Sequence, residues 1–73
     1  MNRILELTPT QRRIAMGLIA GNPMAEICED LAMSQKQVNV ELGWAQRKTN
    51  AATVYQLVAM VAADLVRIEA VLK

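Results

Sequence analysis

The sequence predicts an all-α fold of four helices, the last of them long, and three observations support this prediction. Hydrophobic residues make up 53% of the 73 residues, but Phe is absent and aromatic residues are only 3% of the chain. The core must therefore consist of Leu, Ile, Val, Ala and Met, which suits closely packed helices. Apolar residues recur at helical intervals, and each of four segments begins with a residue that can cap a helix.

The first two helices are predicted in the segments LTPTQRRIAMGLIAG and NPMAEICEDLAM. Thr8 is the expected N-cap of the first helix, with Gln11 completing a capping box, and Gly21 ends this helix. Asn22 is the expected cap of the second helix, with Pro23 at its first position. The inward-facing residues are expected to be Ile14, Leu18 and Ile19 in the first helix and Ile27 and Leu31 in the second.

The third helix is predicted in SQKQVNVELGWAQRKT, where Ser34 and Gln37 form a second capping-box pattern. A buried seam is expected at helical spacing, formed by Val38, Leu42, Ala45 and Thr49. The residues that lie away from this seam are Gln35, Gln37, Asn39, Val40 and Gly43. Gly43 costs about 1 kcal/mol of helix propensity relative to Ala, and one use for it is close approach to another surface.

The fourth helix is predicted in NAATVYQLVAMVAADLVRIEAVLK, with either Asn50 or Thr53 as its cap. One apolar stripe comprises Val54, Leu57, Val58, Val61, Leu65, Ile68 and Leu72. A second apolar set makes this helix hydrophobic on much of its circumference, which indicates an oligomer interface in so small a chain. The sequence therefore predicts a homodimer whose interface consists of Met60, Ala63, Val66, Arg67, Ala70 and Val71.

The composition argues against catalysis and metal binding. The chain has no His, and Cys28 is its only cysteine, which excludes the commonest general base, a disulfide within the chain and a cysteine zinc site. Glu26, Glu29 and Asp30 are interpreted as a solvated acidic face, because no third ligand has suitable spacing. We therefore expect neither an enzyme nor a bound cofactor or metal ion.

The length and charge favour a small binding module. A chain of 73 residues allows one domain, residues 1–73, and its net charge of +1 is weaker than that of many DNA-binding domains. The apolar run at the N-terminus is too short for a signal peptide. The longest apolar stretch, LVAMVAA, is far short of the ~20 residues that span a membrane. We expect a cytoplasmic protein without membrane contact.

Several short motifs between residues 7 and 58 match one family of DNA-binding domains. They are Leu7-Thr8, Arg12, Ile14, Gly21, Glu26-Ile27, Leu31, the pattern S-x-K-x-V-x-V-x-L from Ser34 to Leu42, and Arg47-Lys48. In these motifs and their spacing the chain resembles the LuxR-type, or GerE-type, helix-turn-helix domain. The resemblance implies a helix-turn-helix core over residues 7–49 and a dimerisation helix over residues 50–73. It also implies a bacterial or phage transcription regulator of the stand-alone kind.

The same resemblance implies that the third helix enters the major groove of double-stranded DNA. Base contacts would fall on Asn39, Val40 and Gly43, where Asn can pair with adenine and Val can contact a thymine methyl group. Phosphate contacts would fall on Lys36, Gln37, Arg47 and Lys48. Gln35 completes the expected set of DNA-contacting residues.

Several positions depart from the family pattern. Thr10-Gln11 stands where the family commonly has Arg-Glu, Asn39 where it commonly has Lys, Glu41 where it usually has His, Trp44 where it often has a polar residue, and Lys48-Thr49-Asn50 where it has Lys-Leu-Gly. Glu41 is expected either to pair with Lys48 or Arg47, or to accept a hydrogen bond from cytosine. With the low net charge, these departures support an alternative hypothesis, a protein-binding modulator of another transcription regulator. In that case Glu41 and Trp44 would be its anchors, since Trp is enriched at interface hot spots.

Overall fold

A computed structural model describes the backbone of residues 6–72 and the side chains of residues 6–66. It contains α1 (Pro9–Ile19), α2 (Met24–Leu31), α3 (Gln35–Thr49) and α4 (Val54–Leu72). No strand occurs between residues 6 and 72, so the predicted all-α fold of four helices is confirmed.

Both predicted capping boxes form. The backbone N–H of Gln11 donates to Thr8 Oγ1 at 3.1 Å, and the backbone N–H of Thr8 donates to Gln11 Oε1 at 3.0 Å. Ser34 and Gln37 make the same reciprocal pair at 3.1 and 2.8 Å. These bonds satisfy donors that the first turn of a helix leaves without partners, and they fix where α1 and α3 begin.

The cap of α4 is Thr53, whose Oγ1 accepts from the backbone N–H of Gln56 at 3.1 Å. Of the two caps that the sequence allowed, Asn50 instead ends α3 in a left-handed conformation with φ 58°. The prediction that Asn22 caps α2 is wrong. Pro23 is still extended, with ψ 151°, so it is the N-cap itself and the helix begins one residue later than expected.

The hydrophobic core lies where α1 and α3 each contact the other three helices, and no contact between α2 and α4 occurs among the residues that the structure describes. Its buried apolar residues are Leu7, Ile14, Ala15, Ile27, Val38, Leu42, Ala45, Ala51, Leu57 and Val61. The predicted seam of α3 is confirmed, because Thr49 is buried together with the three apolar members. Thr49 Oγ1 donates to the carbonyl of Ala45 at 2.8 Å, so its burial leaves no unpaired hydroxyl.

Two apolar residues that were expected in the core are exposed. Ile19 is 37% exposed because it lies about 140° around α1 from Ile14, beside the buried stripe rather than within it. Leu65 of α4 is 38% exposed. The side chains of Ile68 and Leu72 lie outside the described residues.

None of the described helices is by itself both long and apolar enough to cross a membrane. Taken together, α3 and residues 54–66 of α4 are long and apolar enough to cross a membrane, but the two segments are bent by 66° relative to each other.

Two glycines within helices differ in what surrounds them, and this difference generates a prediction. A Cβ atom added at Gly17 would lie 2.9 Å from Cγ1 of the buried Ile27, whereas a Cβ atom added at Gly43 would meet nothing within 4 Å. Gly17→Ala should therefore lower the free energy of unfolding by up to about 2 kcal/mol, because overpacking of the α1–α2 contact costs about 1–3 kcal/mol and helix propensity offsets about 1 kcal/mol of it. Gly43→Ala should raise it by up to about 1 kcal/mol through helix propensity. Urea denaturation of both variants measures the two changes, and a loss of stability in Gly43→Ala would contradict the open space at that position.

Candidate nucleic-acid interface

The packing of α3 leaves one side of this helix outside the core. We call this side the outer face of α3, and it consists of Lys36, Gln37, Asn39, Val40, Gly43, Trp44 and Arg47. Gly43 is partly buried and the other members are exposed. Gln35 is exposed in the first turn of the same helix. Apart from Lys48, all the residues that were expected to contact DNA are thus accessible on α3.

The outer face is cationic and partly apolar. Lys36 stands near its beginning and Arg47 near its end, and the face includes no carboxylate. Between the two cations, Val40 and Trp44 are each 52% exposed. A partner that docks here therefore meets positive charge at both ends of the helix and apolar surface between them.

Glu41 lies on the flank of α3 next to α1, where it is partly buried. Its Oε2 accepts a hydrogen bond from Nε2 of Gln11 at 3.4 Å, at the long end of hydrogen-bond distances. The expectation had been a pair with Lys48 or Arg47. The described residues instead place a neutral amide against the carboxylate, and the carboxylate lies at the edge of the outer face rather than in it.

Lys48 lies on the same flank, seven residues along α3 from Glu41, and is also partly buried. Its Nζ donates to Oε1 of Gln11 and to the backbone carbonyl of Glu6, both at 3.2 Å. These bonds hold the ammonium group against α1 and the segment before it. Lys48 is therefore held by hydrogen bonds to other parts of the chain, on the flank of α3 rather than on its outer face.

Gln11 connects these groups, and we call the bonded set of Thr8, Gln11, Glu41 and Lys48 the Gln11 network. Gln11 is only 4% exposed, its Oε1 accepts from Thr8 and Lys48, and its Nε2 donates to Glu41. Sequence reasoning identified Gln11 as a capping residue and as a departure from the family pattern, but not as a partner of Glu41. The signal for this contact was that both positions depart from the pattern, because a glutamine amide can donate to a carboxylate and a glutamate cannot.

Trp44 and Arg47 form a stacked pair on the outer face. The guanidinium carbon of Arg47 lies 5.3 Å from the centroid of the Trp44 ring, within the range of a cation–π interaction. Together with Val40 and Gly43 the pair lines a shallow depression of about 240 Å³. A second depression of about 320 Å³ lies on the other side of Val40, and it is lined by Met33, Lys36, Gln37 and Glu41, so a carboxylate borders the outer face here. Val40 is thus a ridge between two shallow hollows.

The residues expected at a dimer interface on α4 have different environments. Ala63 and Val66 are exposed, and Val66 has 64% of its surface accessible. Met60 is partly buried and packs against the core of its own chain, so its position on α4 contributes to the fold. The side chains of Arg67, Ala70 and Val71 lie outside the described residues. Tyr55, which was not among the expected interface residues, is 88% exposed.

The described residues contain no group of three or more His, Cys, Asp or Glu side chains that could hold a metal ion. Cys28 is a free, partly buried thiol. Comparison with known proteins finds no matching family model, no similar curated protein and no similar solved structure. The resemblance to the LuxR-type domain therefore stays a prediction from the sequence motifs.

The Gln11 network generates a prediction with a matched control. Gln11→Ala should lower the free energy of unfolding by about 1–3 kcal/mol, because Glu41 and Lys48 lose their bonds to a buried amide and α1 loses half of its capping box. Gln37→Ala removes the same capping interaction from α3 at an exposed site and should cost less, about 0.5–1 kcal/mol. Thermal and urea unfolding measure both changes. Equal losses in the two variants would show that the bonds to Glu41 and Lys48 contribute nothing measurable.

Proposed function

We propose that this protein is a small DNA-binding transcription regulator that places α3 in the major groove of double-stranded DNA. The observation that supports the proposal most directly is the outer face of α3, which is accessible and holds Lys36 and Arg47 without any carboxylate. The Gln11 network strengthens this argument, because it keeps Glu41 on the flank of the helix. The sequence motifs of the helix-turn-helix core point to the same function.

The spacing of the two cations suits a helix that lies in a groove. Lys36 and Arg47 are eleven residues apart, which corresponds to roughly 16 Å along the helix axis. The major groove is about 12 Å wide and has a phosphate strand along each edge. One cation can therefore bind phosphate at each edge while Asn39 and Val40 lie over the base pairs between them.

Gly43 contributes to this proposal through its small size. An added Cβ atom would meet nothing within the chain, so the fold gains nothing from the absence of a side chain here. Glycine also costs helix stability relative to alanine. A partner that approaches the backbone of α3 closely supplies a physical reason for glycine at this position.

The two neighbouring cations at the end of α3 provide a test of DNA binding. Arg47→Gln should make the log–log dependence of affinity on salt shallower by about 0.9, because one phosphate contact is lost. Lys48→Gln removes the same charge one residue later, yet it should leave the slope nearly unchanged, since its ammonium group bonds Gln11 and Glu6. Mobility shifts with labelled duplexes of mixed sequence, run over a range of salt, measure both slopes.

One outcome of that experiment would refute the proposal, and another would change the role assigned to Lys48. If the wild-type protein retards no duplex even at low salt, DNA binding is refuted. If the slopes of Arg47→Gln and Lys48→Gln fall equally, the ammonium group of Lys48 also reaches the phosphates, and its internal bonds break when DNA binds.

A second candidate function is a protein-binding modulator of another transcription regulator. The observation that favours it is the apolar surface of Val40 and Trp44, each 52% exposed in the middle of the outer face. Large exposed aromatic side chains are typical anchors of protein interfaces. A purified LuxR-type regulator and its operator separate the two candidates. Loss of that regulator's DNA complex on addition of this protein, without any DNA binding by this protein alone, would support the modulator.

The proposed regulator is a homodimer that associates through α4. Ala63 and Val66 are exposed on this helix, and two copies of α3 could then meet successive half-sites of a duplex. Burial of the apolar surface of α4 would also stabilise so small a domain.

Light scattering should give a mass near twice 8.1 kDa at high micromolar concentration. Ala63→Asp should reduce the mass to that of one chain while the helical circular dichroism is retained, because a charge buried at the interface lacks a partner. Ala25→Asp is the control, since it adds the same charge to an exposed alanine of α2, a helix without a contact to the described part of α4. A monomeric wild type would contradict the dimer, and an unchanged mass of Ala63→Asp would exclude this part of α4 from the interface.

A further inference from the structure

The stacked pair of Trp44 and Arg47 is a feature that the proposed function does not require. Arg47 is exposed, and its guanidinium carbon lies 5.3 Å from the ring centroid of an indole that is itself half exposed. The two residues are three positions apart on α3, so they are neighbours on one side of the helix. The buried side chains of Ala45 and Thr49 fix the same segment of α3 against the core. The backbone that carries Trp44 and Arg47 is therefore held in place by core packing.

We propose that Trp44 is a positioning residue for Arg47, holding its guanidinium group over the outer face in the orientation in which it binds a DNA phosphate. The inference rests on the proposed function and specifies how one of its contacts is prepared. Its ligand is the phosphate backbone, and the role of the indole is to order the cation that binds it.

The geometry of the two groups explains why stacking does not compete with binding. The N–H donors of a guanidinium group lie in its plane, so contact with an aromatic ring through the face of that plane leaves them free. The guanidinium carbon of Arg47 lies over the Trp44 ring, and an Arg47 that turns its face to the indole keeps its outward edge free to donate to phosphate oxygens. A flexible Arg side chain loses rotamer freedom when it binds, and prior ordering by a neighbour reduces that loss.

The other cations of α3 lack this arrangement in the described part of the chain. Lys48 is ordered, but its ammonium group bonds Gln11 and Glu6 on the flank of the helix. The described contacts show no aromatic ring beside Lys36. Arg47 thus combines a position on the outer face with a side chain that is already ordered by a neighbour.

A double-mutant cycle tests whether Trp44 acts through Arg47. The probe is a labelled duplex of mixed sequence at low salt, and the variants are Trp44→Leu, Arg47→Gln and the double variant. Trp44→Leu should weaken binding by roughly three- to tenfold when Arg47 is present, which matches the usual range for ordering one such side chain. It should have almost no effect when Arg47 has already been replaced. Trp44→Phe retains an aromatic face and should restore most of the lost affinity.

The salt dependence separates positioning from direct contact. Trp44→Leu should leave the log–log slope of affinity against salt as it is in the wild type, because Arg47 still reaches the phosphate. Arg47→Gln should make this slope shallower by about 0.9. Because Trp44 and Arg47 both lie at the surface, the free energy of unfolding should change by no more than about 1 kcal/mol in any of the variants.

Three results would overturn the inference. The first is an equal loss of affinity on Trp44→Leu in the presence and absence of Arg47, which would mean that the indole itself contacts the partner. The second comes from NMR of the free protein, if the side-chain protons of Arg47 show no ring-current shift that Trp44→Leu removes. The third is a wild-type protein that retards no duplex at low salt, which refutes the proposed function as well. In that case a ring-current shift would show that the stacked pair exists without its proposed role.

Discussion

The burial of one side of α3 is the constraint on which the rest of this structure depends. Its buried members are Val38, Leu42, Ala45 and Thr49. Because an α-helix has 3.6 residues per turn, fixing these positions against the core also fixes which residues point away from it. Ala45 is small and Thr49 bonds the helix backbone, so among the described residues this packing leaves no buried side-chain nitrogen or oxygen without a hydrogen-bond partner. The accessible surface of α3 is therefore a direct consequence of its core packing.

The second constraint is electrostatic and comes from α1. A glutamine amide has both donors and an acceptor, so Gln11 can bind the carboxylate of Glu41 and the ammonium group of Lys48 at once. Two opposite charges are thereby held on the flank of α3, where they offset each other. The members of the outer face then carry only the charges of Lys36 and Arg47, with Glu41 at its border beside Lys36. A chain with a net charge of only +1 can in this way concentrate positive charge on one side of a helix.

The sequence predicted the parts of the fold that depend on local physical rules. Both capping boxes, the seam of α3 and the all-α fold follow from hydrogen bonding within one turn and from helical periodicity. The exposed positions of Lys36, Asn39 and Val40 then follow from that periodicity. The N-cap of α2 was wrong by one residue because Pro23 stays extended, which sequence patterns resolve poorly.

The contacts of the candidate site could not be predicted from local rules. Glu41 and Lys48 are 30 and 37 residues from Gln11 in the chain, and only the packing of α1 on α3 brings these groups together. Met60, which is expected at the dimer interface, also packs against the core of its own chain, and periodicity alone did not reveal this contact. The pairing of Trp44 with Arg47 depends on side-chain rotamers, and spacing alone did not specify it.

Trp44 is the only tryptophan in the chain, and it lies half exposed at the surface where a partner is proposed to bind. Its indole is the main intrinsic fluorophore of the unmodified protein, and its emission depends on the polarity around the ring and on the cation stacked against it. Binding at the outer face of α3 is therefore expected to alter the emission. The protein thus contains a natural optical probe of this surface without any added label.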